Sequence, residues 1–108
     1  VADIEFPSEL VDRQRAADQA WAALEAHRKQ VDGQRRQDTP DTPGRPAWTA
    51  RPMRPWTKTE DAEHQRLMTA AVSAQETLRA ALAGARLSPD AATVQGLKNA
   101  ARAERPAV

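Results

Sequence analysis

Five of the eight prolines in this chain of 108 residues fall between residues 38 and 56, at Pro40, Pro43, Pro46, Pro52 and Pro55. Proline has no amide N–H, and its ring clashes with the preceding helical turn, so no helix crosses that stretch. Extended or polyproline-like backbone is what such a density leaves. The chain is thereby split into two long flanks, each of which has to find its own regular structure.

Both flanks read as helix. Leu10, Ala17, Leu24 and Val31 recur every seven residues, with Ala20, Trp21 and His27 beside them, which predicts a helix over 8–37 with a narrow apolar stripe. Ser8 is the expected N-cap, and Glu9 and Asp12 follow where carboxylates suit the helix dipole. Gly33 weakens the far end by about 1 kcal/mol relative to Ala, so fraying is expected there. After the prolines, Thr57 and Glu60 have the spacing of a capping box. Leu67, Ala71, Ala74, Leu78, Ala81 and Ala85, flanked by Met68, Val72 and Leu82, then mark a second helix over 58–85, with Gly84 as its expected C-cap and the helix ending there or at Arg86. Ser88-Pro89-Asp90 reads as the start of a short helix over 89–103, with Ser88 as N-cap, Pro89 at the first helical position, and Val94, Leu97 and Ala101 on one face. No run alternates with the period of a strand.

The expected fold is therefore all-α: an antiparallel helical hairpin of two long helices, a Pro/Trp-rich linker (38–56) folded along it, and a short C-terminal helix over its open end. A chain of 11.8 kDa has too little surface to bury for two cores, so 1–108 is one domain. Each long helix spans ~40 Å at 1.5 Å per residue. The linker far exceeds the 2–8 residues usual between packed helices, so Trp48, Met53 and Trp56 are expected to insert against the hairpin as a lid.

The core is thin. Of the residues, 23 are Ala, whereas Leu, Ile, Val and Phe together number 15. Alanine favours helix strongly but contributes little burial. Val11, Met68, Val72 and Leu82 are read at the margins of the stripes. A second copy packed alongside would cover them in a four-helix arrangement, so a homodimer is expected.

Several chemistries drop out. There is no cysteine, which removes disulfides, thiol catalysis and cysteine-based zinc sites. The acidic start Val-Ala-Asp-Ile-Glu-Phe does not read as a secretory signal, and no apolar run is long enough to span a membrane. A soluble, cytoplasmic protein is the expectation. No Gly-x-Ser-x-Gly elbow or phosphate-cradling glycine loop is present, so neither an enzyme nor a cofactor is expected.

Two constellations remain. Between Thr42 and Thr59 lie Arg45, Arg51, Arg54 and Lys58 and no acid, interleaved with Trp48 and Trp56. Cations alternating with aromatics can hold a protein partner, or a single-stranded nucleic acid by phosphate contacts and base stacking. The net charge of only +1 argues against a dedicated nucleic-acid binder. The plain alternative has the tryptophans packing on the hairpin, with the arginines stacked on them or in water. The second constellation is His27 and His64, which an antiparallel hairpin brings to one level. They read as boundary histidines, or as a metal or acid–base pair with Glu60 or Glu63. Duplicated Glu-x-x-His motifs, as in carboxylate-bridged metal bundles, are absent.

Glu5-Phe6-Pro7, Ala22-Ala23-Leu24-Glu25-Ala26-His27-Arg28, Arg54-Pro55-Trp56-Thr57 and Val94-Gln95-Gly96-Leu97 together resemble small uncharacterised helical proteins of high-GC actinobacteria. The resemblance covers most of the chain and implies the helical fold, with no activity attached. The expected role is a non-enzymatic interaction or scaffolding module that self-associates. The alternative is an accessory nucleic-acid-binding protein using residues 42–59.

Overall fold

The computed structural model describes residues 6–88 and 90–103. They form three helices and no strand: α1 (Ser8–Asp38), α2 (Lys58–Gly84) and α3 (Ala91–Ala103). Helix α1 packs against α2, and α3 packs against α1. Trp21 Nε1 donates to Gln75 Oε1 at 3.3 Å, and His27 Nε2 lies 3.1 Å from the Glu60 carbonyl. Rising positions on α1 thus meet falling positions on α2. None of the helices is long and apolar enough to cross a membrane.

All four heptad residues of α1 (Leu10, Ala17, Leu24 and Val31) are buried. Leu10, Val11 and Ala17 form one cluster with Leu78 and Leu82 of α2 and Leu97 and Ala101 of α3, and Phe6, Ala81 and Leu87 pack around it. Val11 and Leu82 are therefore not exposed margins as expected; they are 2 % and 6 % exposed. The reason is α3, whose Leu97 and Ala101 join them in that cluster. Val72, by contrast, stays 42 % exposed.

Two contacts seat α3. The Arg15 guanidinium donates through Nε and Nη2 to the Ala101 carbonyl at 3.3 and 3.2 Å, which serves one of the carbonyls a helix end leaves unpaired. A Cβ on Gly96 would lie 3.3 Å from Phe6 Cζ, so the missing side chain is what lets Phe6 lie against α3.

The helix ends differ from expectation in three places. Ser8 is not the N-cap of α1. Pro7 is, and its carbonyl accepts from Leu10 and Val11, with no side-chain cap bond. Helix α2 ends at Gly84, one of the two expected ends, but its C-cap is Ala85 and the left-handed residue that closes it is Arg86 (φ 57°). Arg86 N–H donates to the Ala83 carbonyl and Leu87 N–H to the Leu82 carbonyl, the paired bonds of a Schellman ending. The cap of α3 is Asp90 and not Ser88: Asp90 Oδ1 accepts from Thr93 N at 2.8 Å, which holds its carboxyl below the usual range. Pro89, like the acidic start of the chain, lies outside the described residues. The capping box on α2 is formed, with Glu60 N donating to Thr57 Oγ1 at 3.1 Å and Thr57 N to Glu60 Oε1 at 2.8 Å. Helix α1 runs on through Gly33 to Asp38, its last turn held by Thr39 N donating to the Arg35 carbonyl.

Candidate functional site

The linker is built from two β-turns and a return strap. In the first turn Arg45 N donates to the Thr42 carbonyl at 3.2 Å, with Pro43 second and Gly44, at φ 78°, third. That is the type II pattern, and its third position needs a residue that tolerates positive φ. The second turn runs Pro46-Ala47-Trp48-Thr49, closed by Thr49 N donating to the Pro46 carbonyl at 3.1 Å. Arg45 clamps both turns. Its Nε and Nη2 donate to Asp41 at 2.8 and 3.2 Å, and its Nη1 reaches the Pro46 carbonyl at 3.3 Å and the Thr49 carbonyl. Asp41 is correspondingly held below the usual carboxylate range by Arg45.

Trp48 sits at the third position of the second turn and is 87 % exposed. The expected lid is not formed at this residue: the turn that carries it is closed on itself and turns the indole outward. Trp56 differs. It is half-buried between the two histidines, with ring centroids 5.8 Å from His27 and 5.4 Å from His64, both edge-to-face.

The return strap occupies the two remaining arginines. Arg51 Nη2 donates to the Arg36 and Thr39 carbonyls at 3.1 and 2.7 Å, capping the end of α1 with a cation. Arg54 is held at every polar group. Its N–H donates to Thr39 Oγ1 at 2.9 Å and its carbonyl accepts from Arg35 Nε at 2.6 Å. Its guanidinium bridges Asp38 at 2.8 Å and Glu60 at 2.8 and 3.0 Å. Lys58 opens α2 and is exposed. Of the four linker cations, Arg45 and Arg54 are thus matched by carboxylates within the chain.

His27 and His64 do come to one level, with centroids 6.5 Å apart. Since a carbonyl can only accept, His27 Nε2 is the donor toward Glu60. His64 Nδ1 is buried without a hydrogen-bond partner. A small cavity of about 180 Å³ opens beside His27, lined also by Gln30, Val31, Gln34 and Glu60. Among the described residues no group of three His, Asp or Glu is placed to hold a metal ion.

Sequence reasoning missed two features. Asp38 and Thr39 take part in holding Arg54, and Asp41 in holding Arg45; the only sequence signal was that these residues border the prolines. A groove of about 350 Å³, lined by Pro7, Glu9, Leu10, Ala81, Gly84 and Ala85, joins two chain regions far apart in sequence, and only the small residues at 81, 84 and 85 hinted at it.

No family model, curated protein or solved structure matches this chain.

Proposed function

We propose that the chain is a non-enzymatic helical interaction or scaffolding module that self-associates, built as an antiparallel hairpin whose linker folds back along its closed end. The observation that carries this reading is Trp48, which stands 87 % exposed on a turn clamped by Arg45. A large aromatic held rigid in water loses little entropy on docking, and such residues anchor protein interfaces. The cytoplasmic setting and the actinobacterial resemblance enter this proposal from the amino-acid sequence alone.

One observation favours the nucleic-acid alternative: the Arg51 guanidinium donates to the backbone carbonyls of Arg36 and Thr39 and not to a carboxylate. Phosphates would, however, have to compete with Asp38, Asp41 and Glu60 for Arg45 and Arg54. Light scattering across micromolar concentrations, alongside gel retardation of single-stranded probes at low salt, separates the two readings. Self-association predicts a mass that climbs above 11.8 kDa and no retarded band. A constant mass with retardation, weakening in salt with a log–log slope near roughly −3 for about four phosphates, overturns it.

A further inference from the structure

Soft donor atoms are few in this chain and they gather in one place. There is no cysteine, and the chain has two histidines and two methionines. All four are half-buried toward the closed end of the hairpin: His27 on α1, Met53 on the return strap, and His64 and Met68 on α2. His64 and Met68 are one helical turn apart, at i and i+4, and share a face. Met53 precedes Trp56 by three residues of the strap.

On each imidazole, Nδ1 is the nitrogen left to bind. A hydrogen bond at one ring nitrogen settles the state of the other. His27 Nε2 donates to the Glu60 carbonyl at 3.1 Å, so its Nδ1 carries the lone pair. A backbone carbonyl behind the ring is also the usual support of a metal-binding histidine. His64 Nδ1 is buried without a hydrogen-bond partner, which native interiors rarely leave unexplained. An ion about 2.1 Å from a ring nitrogen sits roughly 3.2 Å from the ring centroid. Two rings on opposite sides of one ion are then about 6.4 Å apart, and two at the tetrahedral angle about 5.2 Å. The observed separation is 6.5 Å, the value for linear coordination.

We propose that His27 Nδ1 and His64 Nδ1 together bind one monovalent ion of the copper(I) class, in linear coordination between α1 and α2. Two-coordinate linear geometry belongs to closed-shell monovalent copper and silver, and imidazole and thioether surroundings suit copper(I). Zinc takes four ligands, and among the described residues no third His, Asp or Glu completes a group with the pair. Glu60 is taken up by Arg54 and Glu63 by Arg66, so neither carboxylate is left to draw a divalent ion into the pair. The indole of Trp56, 5.8 and 5.4 Å from the two imidazoles, walls the position on one side. The site stands apart from self-association, because both ligands come from one chain.

Silver(I), which copies copper(I) without its redox chemistry, is the probe, added as the nitrate in chloride-free buffer. Isothermal titration compares the native chain with His27→Phe, His64→Phe and the double variant Met53→Leu/Met68→Leu, and far-UV circular dichroism checks that each keeps its helices. Phenylalanine preserves an aromatic ring beside Trp56 in both histidine variants. The native chain is expected to take one silver ion, and each histidine variant to bind it at least tenfold more weakly. The methionine variant should keep the one-ion stoichiometry and lose less affinity than either histidine variant. Zinc should bind the native chain at least tenfold more weakly than silver. In long-range proton–nitrogen spectra, the Nδ1 resonances of both imidazoles should move with silver while His27 Nε2 keeps its proton. The site is overturned if the native chain takes no silver, or if either histidine variant binds it as tightly as the native chain. A methionine variant that loses as much as the histidine variants, or more, puts the ion on the thioethers and overturns it too. Zinc binding as tight as silver overturns the linear, monovalent assignment.

Discussion

Arg54 and Glu60 face each other fork to fork, Nη1 to Oε1 at 2.8 Å and Nη2 to Oε2 at 3.0 Å, across the entrance to α2. The same Oε1 accepts the Thr57 N–H, and the same guanidinium takes Asp38 at the end of α1. One carboxylate therefore closes the capping box and ties the two long helices together through the linker. The cost of ordering the long Arg54 side chain is shared over four hydrogen bonds, the fourth to the Pro55 carbonyl, which is what lets this half-buried cluster hold one geometry.

That arrangement sets an acid response. Arg54, with the Thr57 N–H behind it, holds the Glu60 carboxyl down to about 2 from an ordinary 4.5. Because the folded value is depressed, the stabilisation is complete above about 4.5 and is lost as pH falls toward 2. Thermal melts at fixed ionic strength should show a falling Tm across that window. Glu60→Gln should lower the Tm at pH 7 and flatten the acid limb. An unchanged acid limb in the variant would mean that Arg54 does not hold this carboxylate.

The two linker tryptophans should differ in unfolding. Trp56→Ala removes a half-buried ring lying edge-to-face with two histidines, and should destabilise by about 2 kcal/mol, below the 3–5 of a fully buried tryptophan. Trp48→Ala should leave monomer stability within about 0.5 kcal/mol. Urea unfolding at low protein concentration measures both. Equal losses would mean that Trp48 also packs within its own chain.

Much of the fold was legible because its signals are local. Leu10, Ala17, Leu24 and Val31 announce a buried stripe by spacing alone, and Thr57 with Glu60 announces a helix start. The burial of Val11 and Leu82 was not legible, since it depends on where α3 docks, and that is decided by Arg15 reaching Ala101 and by Phe6 lying on Gly96. Trp48 and Trp56 sit in nearly the same Arg-Pro-Trp context and meet opposite fates. Trp56 directly precedes α2 and lies opposite His27, whereas Trp48 is carried on a turn closed by its own neighbours. The linker arginines read as partner contacts because Asp38, Thr39 and Glu60, which hold Arg54, lie 6 to 16 positions away in sequence.

Arg86 ends α2 in the left-handed region at φ 57°. A side chain with a Cβ pays about 1–2 kcal/mol there, and glycine avoids that while losing about 0.5–1 kcal/mol to its freer unfolded chain. Arg86→Gly should therefore stabilise by about 0.5–1 kcal/mol, seen as a Tm higher by about 2–8 °C for a domain of this size. A lower Tm would show that the arginine side chain contributes more than its backbone costs.

The paired histidines should respond oppositely to one substitution. His64 Nδ1 is buried with no hydrogen-bond partner, and an unsatisfied polar atom of that kind costs about 1–3 kcal/mol. Phenylalanine keeps a ring edge-to-face with Trp56 and removes the orphaned nitrogen, so His64→Phe should leave stability unchanged or raise it by about 1 kcal/mol. His64→Ala should instead lower it by about 1 kcal/mol or more, since the aromatic pair alone is worth about 0.5–1.5 kcal/mol. At His27 the ring nitrogen has work: Nε2 donates to the Glu60 carbonyl at 3.1 Å, binding α1 to the first turn of α2. His27→Phe forfeits that bond and should cost about 0.5–1.5 kcal/mol. Urea unfolding at pH 7.5 compares the variants directly. Destabilisation by His64→Phe as large as by His27→Phe would mean that the His64 nitrogen has a partner in solution.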